Sequence, residues 1–258
     1  MNRMMDRLRA GNLALGLSVR LAHAPAIASI AKACGYHWLF IDLEHGPMAF
    51  DTASNVALAA LEAGITPVVR VPGHDASDAN RALTNGALGI LYPHVDTPGQ
   101  ALACARTARF APHGIRGVPA VFPHLGYDKP PLAHAIDALN AATSVIVMIE
   151  SREAIENADQ IAAQPGVDAL FVGASDLSVE MGVPGDYRNP VLREALDHVA
   201  ACASRHGIVA GLGGIGDDSV LTELIGQGYR MLLAGNDLDF FMRAARDRAA
   251  VLGTMAAR

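Results

Sequence analysis

Eight short runs rich in valine, isoleucine and leucine punctuate the chain, at 12–18, 37–42, 65–71, 88–92, 144–150, 168–173, 207–212 and 229–234. Between them lie alanine-rich segments whose apolar residues recur at helical spacing, as at 51–63, 75–85, 97–108, 151–163, 189–205 and 217–227. A strand that is apolar along its whole length, instead of on alternate residues, has both faces covered. That is the condition of a parallel sheet flanked by helices. Eight such strand–helix units can close on themselves, so the pattern predicts a (β/α)8 barrel of the TIM type, occupying residues 1–258 as one domain. An open, doubly wound sheet is built from the same units and is the alternative. No linker or low-complexity segment divides the chain. The longest non-repeating piece, FAPHGIRGVPAVFPHLGYDKPP at 110–131, is too rich in proline and glycine for a regular element. Long loops of this kind serve as lids or contact surfaces.

Composition removes several classes of partner. The hydrophobic fraction is 51%, yet no stretch approaches the roughly 18 to 20 unbroken apolar residues that cross a bilayer. A net charge of −6 without a lysine- or arginine-rich face argues against nucleic acid. The opening MNRMMDRLRAGNLALG lacks the sustained apolar segment of a secretory leader. Cys34, Cys104 and Cys202, odd in number and without CxxC spacing, suit a reducing compartment. The expectation is a cytoplasmic protein whose cysteines pack inside helical stretches.

The barrel reading gives the charged residues a place. In WLFIDLEHGP, Asp42, Glu44 and His45 leave the C-terminal end of the second strand, the face where barrel enzymes carry their chemistry. Arg70 closes the third strand, Glu150 the fifth, and Asp176 follows the sixth. A single acid at a strand end is usually just solvated; four strand ends sending acid, histidine and arginine to one rim point to function. Glu150 and Asp176 brought within about 4 Å would repel by roughly 4 kcal/mol at an effective dielectric near 20, and a divalent cation would remove that repulsion. Two carboxylates with water and substrate oxygens suit a hard ion such as Mg²⁺ or Mn²⁺. Arg70 can then donate to a developing oxyanion, and His45, oriented by Asp42, can serve as base. The turn GASD, opened by Gly173, offers backbone N–H groups to a carboxylate. Together these describe enolate chemistry on a 2-oxo acid. An imine mechanism would need a lysine at a strand end. The only two lysines, Lys32 and Lys129, lie in a helix and in the 110–131 loop.

IDLEHGP, PVVRVP, GIRGV, MIESREA and FVGASDLSVEMGVPG, in this order, resemble the HpcH/HpaI aldolases, the metal-dependent pyruvate aldolases that include 4-hydroxy-2-oxoheptanedioate and 2-dehydro-3-deoxyglucarate aldolase. The resemblance covers nearly the whole chain. It implies that Glu150 and Asp176 bind the metal, with Mg²⁺ or Mn²⁺ expected and Co²⁺ an option, and that Arg70 binds the 2-oxo oxygen. It further implies that His45 with Asp42 moves protons and that the amides of Gly173 and Ser175 hold the substrate carboxylate. The reaction implied is reversible cleavage of a 4-hydroxy-2-oxo acid to pyruvate, or a close relative such as hydroxypyruvate, and an aldehyde. The implied assembly is a hexamer, a trimer of dimers with the last helix exchanged between subunits. Many members carry glutamine two residues before the metal glutamate; this chain has Met148.

Other features leave other readings open. GLGGIG at 211–216 matches GxGxxG through Gly211, Gly213 and Gly216, and with AGND after the eighth strand it could cradle a phosphate. That would suit a barrel isomerase or lyase acting on a phosphorylated sugar. An acyl-coenzyme A lyase, like the citrate lyase β-subunit, would want a basic rim that the sequence lacks, and a non-catalytic oligomeric binding protein would have no use for the full acid, arginine and histidine set. His74, His94, His113 and His124 sit in loops without metal spacing and read as surface or packing residues. Arg116 is a candidate for gating substrate or for pairing across a subunit boundary. Leu238, Phe241, Ala245, Ala249 and Leu252 form an apolar face near the C-terminus, which predicts a homo-oligomer.

Overall fold

The computed structural model describes residues 1–256. All eight expected strands are present: β1 (Ala14–Val19), β2 (Trp38–Asp42), β3 (Thr66–Arg70), β4 (Gly89–Tyr92), β5 (Ser144–Ile149), β6 (Ala169–Gly173), β7 (Val209–Gly213) and β8 (Tyr229–Asn236). Each pairs in parallel with the next in sequence, and β8 pairs with β1 through Ala14 with Met231 and Gly16 with Leu233. The sheet is therefore a closed (β/α)8 barrel, and the open doubly wound alternative is excluded.

Side chains alternate along each strand, which explains why whole strands are apolar. On β2, Trp38 and Phe40 point into the lumen, where they join Val68, Ile146, Met148 and Phe171. The edge of Trp38 meets Phe171 at 6.2 Å between centroids. Leu39 and Ile41 point outward beneath the helices, in one continuous core with Val69, Ile90, Val147 and Leu170. Burying one such side chain contributes about 1.5–3 kcal/mol, so neither face of these strands can turn polar without loss.

A helix at Arg3–Arg9, not foreseen from the sequence, closes the N-terminal mouth of the barrel. Met4, Met5 and Leu8 enter the lumen cluster. Asn2 accepts from the Met5 amide at 3.1 Å and donates to the Ala142 carbonyl at 2.8 Å. With this floor in place, the C-terminal mouth is the open one.

The expected helices form, with one interruption: 151–163 divides into Arg152–Glu156 and Ala158–Ala162 at Asn157. Further helices occupy Ile27–Ala33 and Leu132–Ala142. In the 110–131 loop the sole regular feature is a 3-10 turn at Pro123–Leu125. Cys104 and Cys202 are buried, as expected, but Cys34 caps its helix and is exposed, so it is not a packing residue. The last helix, Asp237–Ala256, leaves the barrel: Phe241, Val251, Leu252 and Met255 are all exposed. Among the described residues no helix is long and apolar enough to cross a membrane.

Candidate active site

The register of the barrel decides the first contact at the open mouth. β2 and β3 pair so that Asp42 lies beside Arg70. Arg70 Nε donates to Asp42 Oδ1 at 2.8 Å and Nη2 donates to Oδ2 at 2.6 Å, a bidentate fork. Both residues are buried, at 3% and 5% exposure. Removing one partner of such a pair typically costs about 3–5 kcal/mol, because the other charge stays buried. Burial alone would lower the Arg70 pKa, but the bonds to Asp42 and the fields of Asp42, Glu44 and Glu150 outweigh it and hold the guanidinium above its ordinary value.

Asp42 has a second task. Its Oδ1 accepts the backbone N–H groups of Glu44 at 3.0 Å and His45 at 3.2 Å, which folds the turn after β2. Sequence reasoning assigned Asp42 to orient the His45 ring. The carboxylate instead holds His45 by its main chain, and its side-chain partner is Arg70. The His45 side chain is 59% exposed, with Nε2 4.0 Å from Glu44 Oε2. The same Glu44 oxygen lies 2.9 Å from Arg70 Nη1, yet it has no well-directed hydrogen bond. The contact is a charge pair only.

His94 is the site residue that sequence reasoning passed over. It follows β4 by two residues, the offset at which Glu44 follows β2, so the strand-end rule could have found it. Its backbone N–H donates to Glu150 Oε1 at 2.8 Å, and its ring Nδ1 lies 3.0 Å from the same oxygen. Ring Nε2 reaches to 3.5 Å from Glu44 Oε1. His94 thus spans two acids, from a left-handed backbone with φ 50°. Glu150 is buried, and burial pushes its pKa up; His94 works against that rise, while Asp176 and Glu44 add to it.

The other oxygen, Glu150 Oε2, sits over Gly173: a Cβ there would lie 2.7 Å from it. Gly173 ends β6, and Ser175 and Asp176 follow in the exposed first turn of Ala174–Glu180. These residues, with Arg70, His45 and Met148, line a cavity of about 170 Å³ in the barrel mouth. Met148 Sδ lies 4.0 Å from Arg70 Nη1, a weakly accepting neighbour. Just past β7, Gly214 approaches with φ 94°, and a Cβ on it would meet Ser175 Oγ at 2.6 Å. Within GLGGIG, Gly214 thus serves close approach to this wall, Gly211 and Gly213 pack against Phe171, and Gly216 has open space around it.

Every strand-end residue singled out from the sequence therefore reaches one rim, and several loop residues do not join it. Arg116 is buried with its guanidinium 4.4 Å from the Phe110 ring, and burial together with Arg109 lowers its pKa to about 10. His124 bonds the Ala87 carbonyl at 2.9 Å, and burial lowers its pKa to about 4. His74 bonds the Pro93 carbonyl at 2.7 Å.

Among the described residues no three His, Cys, Asp or Glu side chains converge as a ready-made metal cage. The donors that are present fit a hard divalent ion with open positions: oxygen only, one buried carboxylate with Oε2 over a bare glycine, and Asp176 close enough to raise its pKa.

The family model for HpcH/HpaI aldolase/citrate lyase matches residues 17–244. The chain belongs to this family. It is 40% identical over 224 residues to a 4-hydroxy-4-methyl-2-oxoglutarate aldolase of Hapsidospora irregularis, covering 86% of this chain and 83% of the relative. A second aldolase with that name, from Chaetomium globosum, is 37% identical over 255 residues, 97% and 95% of the two chains. The crystal structure of an HpcH/HpaI aldolase from Desulfitobacterium hafniense superposes with a TM-score of 0.92 at 26% identity, covering 98% and 97%. Family and relatives together make the chain an enzyme, a carbon–carbon lyase of the aldolase kind, and neither the phosphorylated-sugar nor the acyl-coenzyme A reading is favoured.

Proposed function

We propose that the chain is a divalent-metal-dependent aldolase that reversibly cleaves 4-hydroxy-2-oxo acids to pyruvate, or a close 2-oxo acid such as hydroxypyruvate, and an aldehyde. The observation that carries this reading is a buried arginine, held rigid by Asp42, at a cavity lined also by Asp176 and by Gly173, the glycine beside Glu150 Oε2. Glu150 and Asp176 would hold Mg²⁺ or Mn²⁺, with Co²⁺ also suited, and the ion would supply Lewis acidity toward the 2-oxo carbonyl. The Gly173 and Ser175 amides receive the substrate carboxylate. Arg70 donates to the 2-oxo oxygen, where negative charge gathers as the C3–C4 bond breaks. His45 Nε2, exposed at the cavity wall, takes the proton of the C4 hydroxyl, directly or through water. The C3–C4 electron pair passes to the enolate, the aldehyde leaves, and protonation at C3 completes pyruvate. His94 keeps Glu150 Oε1 occupied, which leaves Oε2, beside Gly173, for the ion.

The exposed apolar residues of Asp237–Ala256 suit a second copy of the chain, in keeping with a hexamer that exchanges this helix. Free cysteines suit the cytoplasm.

The test divides Arg70 from His45. Decarboxylation of oxaloacetate passes through the same pyruvate enolate with no C4 hydroxyl to deprotonate. Arg70→Ala is expected to impair both reactions, by about 10²- to 10³-fold. His45→Ala is expected to impair aldol cleavage by roughly 10²- to 10⁴-fold while sparing more of the decarboxylation. Equal losses in a folded His45→Ala variant would remove His45 from its role, and full activity in Arg70→Ala would remove the oxyanion argument.

A further inference from the structure

Arg20, the first residue past β1, lines the cavity that holds Arg70 and Asp176. It also lines a second cavity of about 270 Å³ next to it, bordered by Gly216, Asn236 and Asp239. Ser18, Arg20, Gly214 and Leu233 belong to both, so the two cavities form one trough with Arg20 on the common wall. Arg20 is the only cationic side chain among the described residues lining the second cavity.

Two observations set Arg20 apart from an ordinary solvated arginine. Its backbone is fixed: the N–H groups of Arg20, Leu21 and Ala22 all donate to the Asp237 carboxylate, at 2.9, 3.0 and 2.7 Å. The start of the last helix thereby holds the segment in place. The guanidinium itself is uncommitted. Arg70, across the mouth, is bound to Asp42, whereas Arg20 makes no ion pair or side-chain hydrogen bond among the described residues. A pinned backbone with a free fork is pre-organised for a planar anion.

Resting on the aldolase reading, we propose that Arg20 selects the acceptor half of the substrate by binding a carboxylate carried on C4. With the C1 carboxylate at Gly173 and Ser175 and the 2-oxo oxygen at Arg70, C4 extends toward the remaining walls of the trough, where Arg20 stands. The charge balance favours a carboxylate over a phosphate. Asp239 borders the second cavity, its Oδ2 accepting from Asn236 Nδ2 at 2.6 Å, so that cavity pairs one positive with one negative side chain. A monoanion is matched by one guanidinium, whereas a phosphate dianion would leave excess negative charge facing Asp239.

The experiment compares acceptors in the synthetic direction, with pyruvate as donor and Mg²⁺- or Mn²⁺-loaded full-length protein: glyoxylate, acetaldehyde and glycolaldehyde phosphate. Glyoxylate and acetaldehyde differ by carboxylate against methyl at the carbon that becomes C4. The ratio of their kcat/KM values is expected to fall about 10- to 100-fold in Arg20→Ala, as for a lost hydrogen bond to a charged group, and to recover in part in Arg20→Lys. An unchanged ratio in a variant that melts like the wild type would overturn the assignment. So would an Arg20-dependent preference for glycolaldehyde phosphate over glyoxylate. Wild-type protein that joins pyruvate to none of the three would instead sink the aldolase reading itself.

Discussion

Replacing Asp42 with asparagine changes one charge and little volume, and the structure allows its effect to be worked out. Asparagine keeps Oδ1 for the amides of Glu44 and His45. It loses the charge that answers Arg70, and its NH2 group meets the guanidinium donor to donor where Oδ2 now accepts at 2.6 Å. Breaking a buried pair costs about 3–5 kcal/mol. Glu44 Oε2 remains 2.9 Å from Nη1 and shields part of the exposed charge, which places the expected loss at the lower end, about 3 kcal/mol. For a chain of this size that corresponds to a fall in Tm of about 6–12 °C. Activity should fall as well, by about 10²-fold, because an oxyanion donor displaced by an ångström stabilises much less. Differential scanning calorimetry at fixed protein concentration and retro-aldol rates with saturating metal measure both. A Tm within about 2 °C of wild type would refute the claim that this pair fastens β2 to β3. The expected fall in Tm with unchanged kcat would show that Arg70 acts without Asp42.

Three further outcomes are expected. Exhaustive chelation should abolish aldol turnover and Mg²⁺ or Mn²⁺ should restore it; full activity in metal-free protein, or inactivation by borohydride with pyruvate, would contradict the metal-assisted route. His94→Ala should weaken Mn²⁺ binding to the metal-free protein about 10- to 100-fold in an electron paramagnetic resonance titration, since it removes the ring from Glu150 Oε1, and wild-type affinity would reject the positioning role. His124, with a folded pKa lowered by burial to about 4 from an ordinary 6.5, is neutral in the fold while its unfolded form takes up a proton. Its contribution is intact above about pH 6.5 and is lost as pH falls toward 4, by up to about 3 kcal/mol, so the Tm of His124→Gln should drop less than that of wild type between pH 7 and pH 4.5.

What the sequence made legible follows from what is local. A barrel strand packed on both faces must be apolar at consecutive positions, so β2 announces itself in WLFI and β6 in ALFV. The rim residues are local as well, because a strand that ends in charge has ended at solvent or at a site. Partnership between strands is not local. Asp42 stands three residues from His45 in sequence and 28 from Arg70, yet the β2–β3 register gives its carboxylate to the arginine. The Arg3–Arg9 helix was invisible for a related reason: seven residues with Met4, Met5 and Leu8 make a helix worth forming only over a finished barrel floor.

His94 combines both limits. Its place after β4 was readable, but its reach depends on φ 50°, a backbone setting that no neighbouring residue announces. Histidine tolerates that region better than bulkier or branched residues, though it still costs on the order of 1–3 kcal/mol that the surroundings must overcome. Here two contacts do so, the amide and the ring both meeting Glu150 Oε1. His94→Gly separates them, since it relieves the backbone and keeps the amide bond while deleting the ring. A glycine variant as stable as wild type but weaker in Mn²⁺ affinity would assign the strain to the site, where the ring sets the carboxylate. If stability rises and affinity holds, the amide alone positions Glu150, and the ring is dispensable.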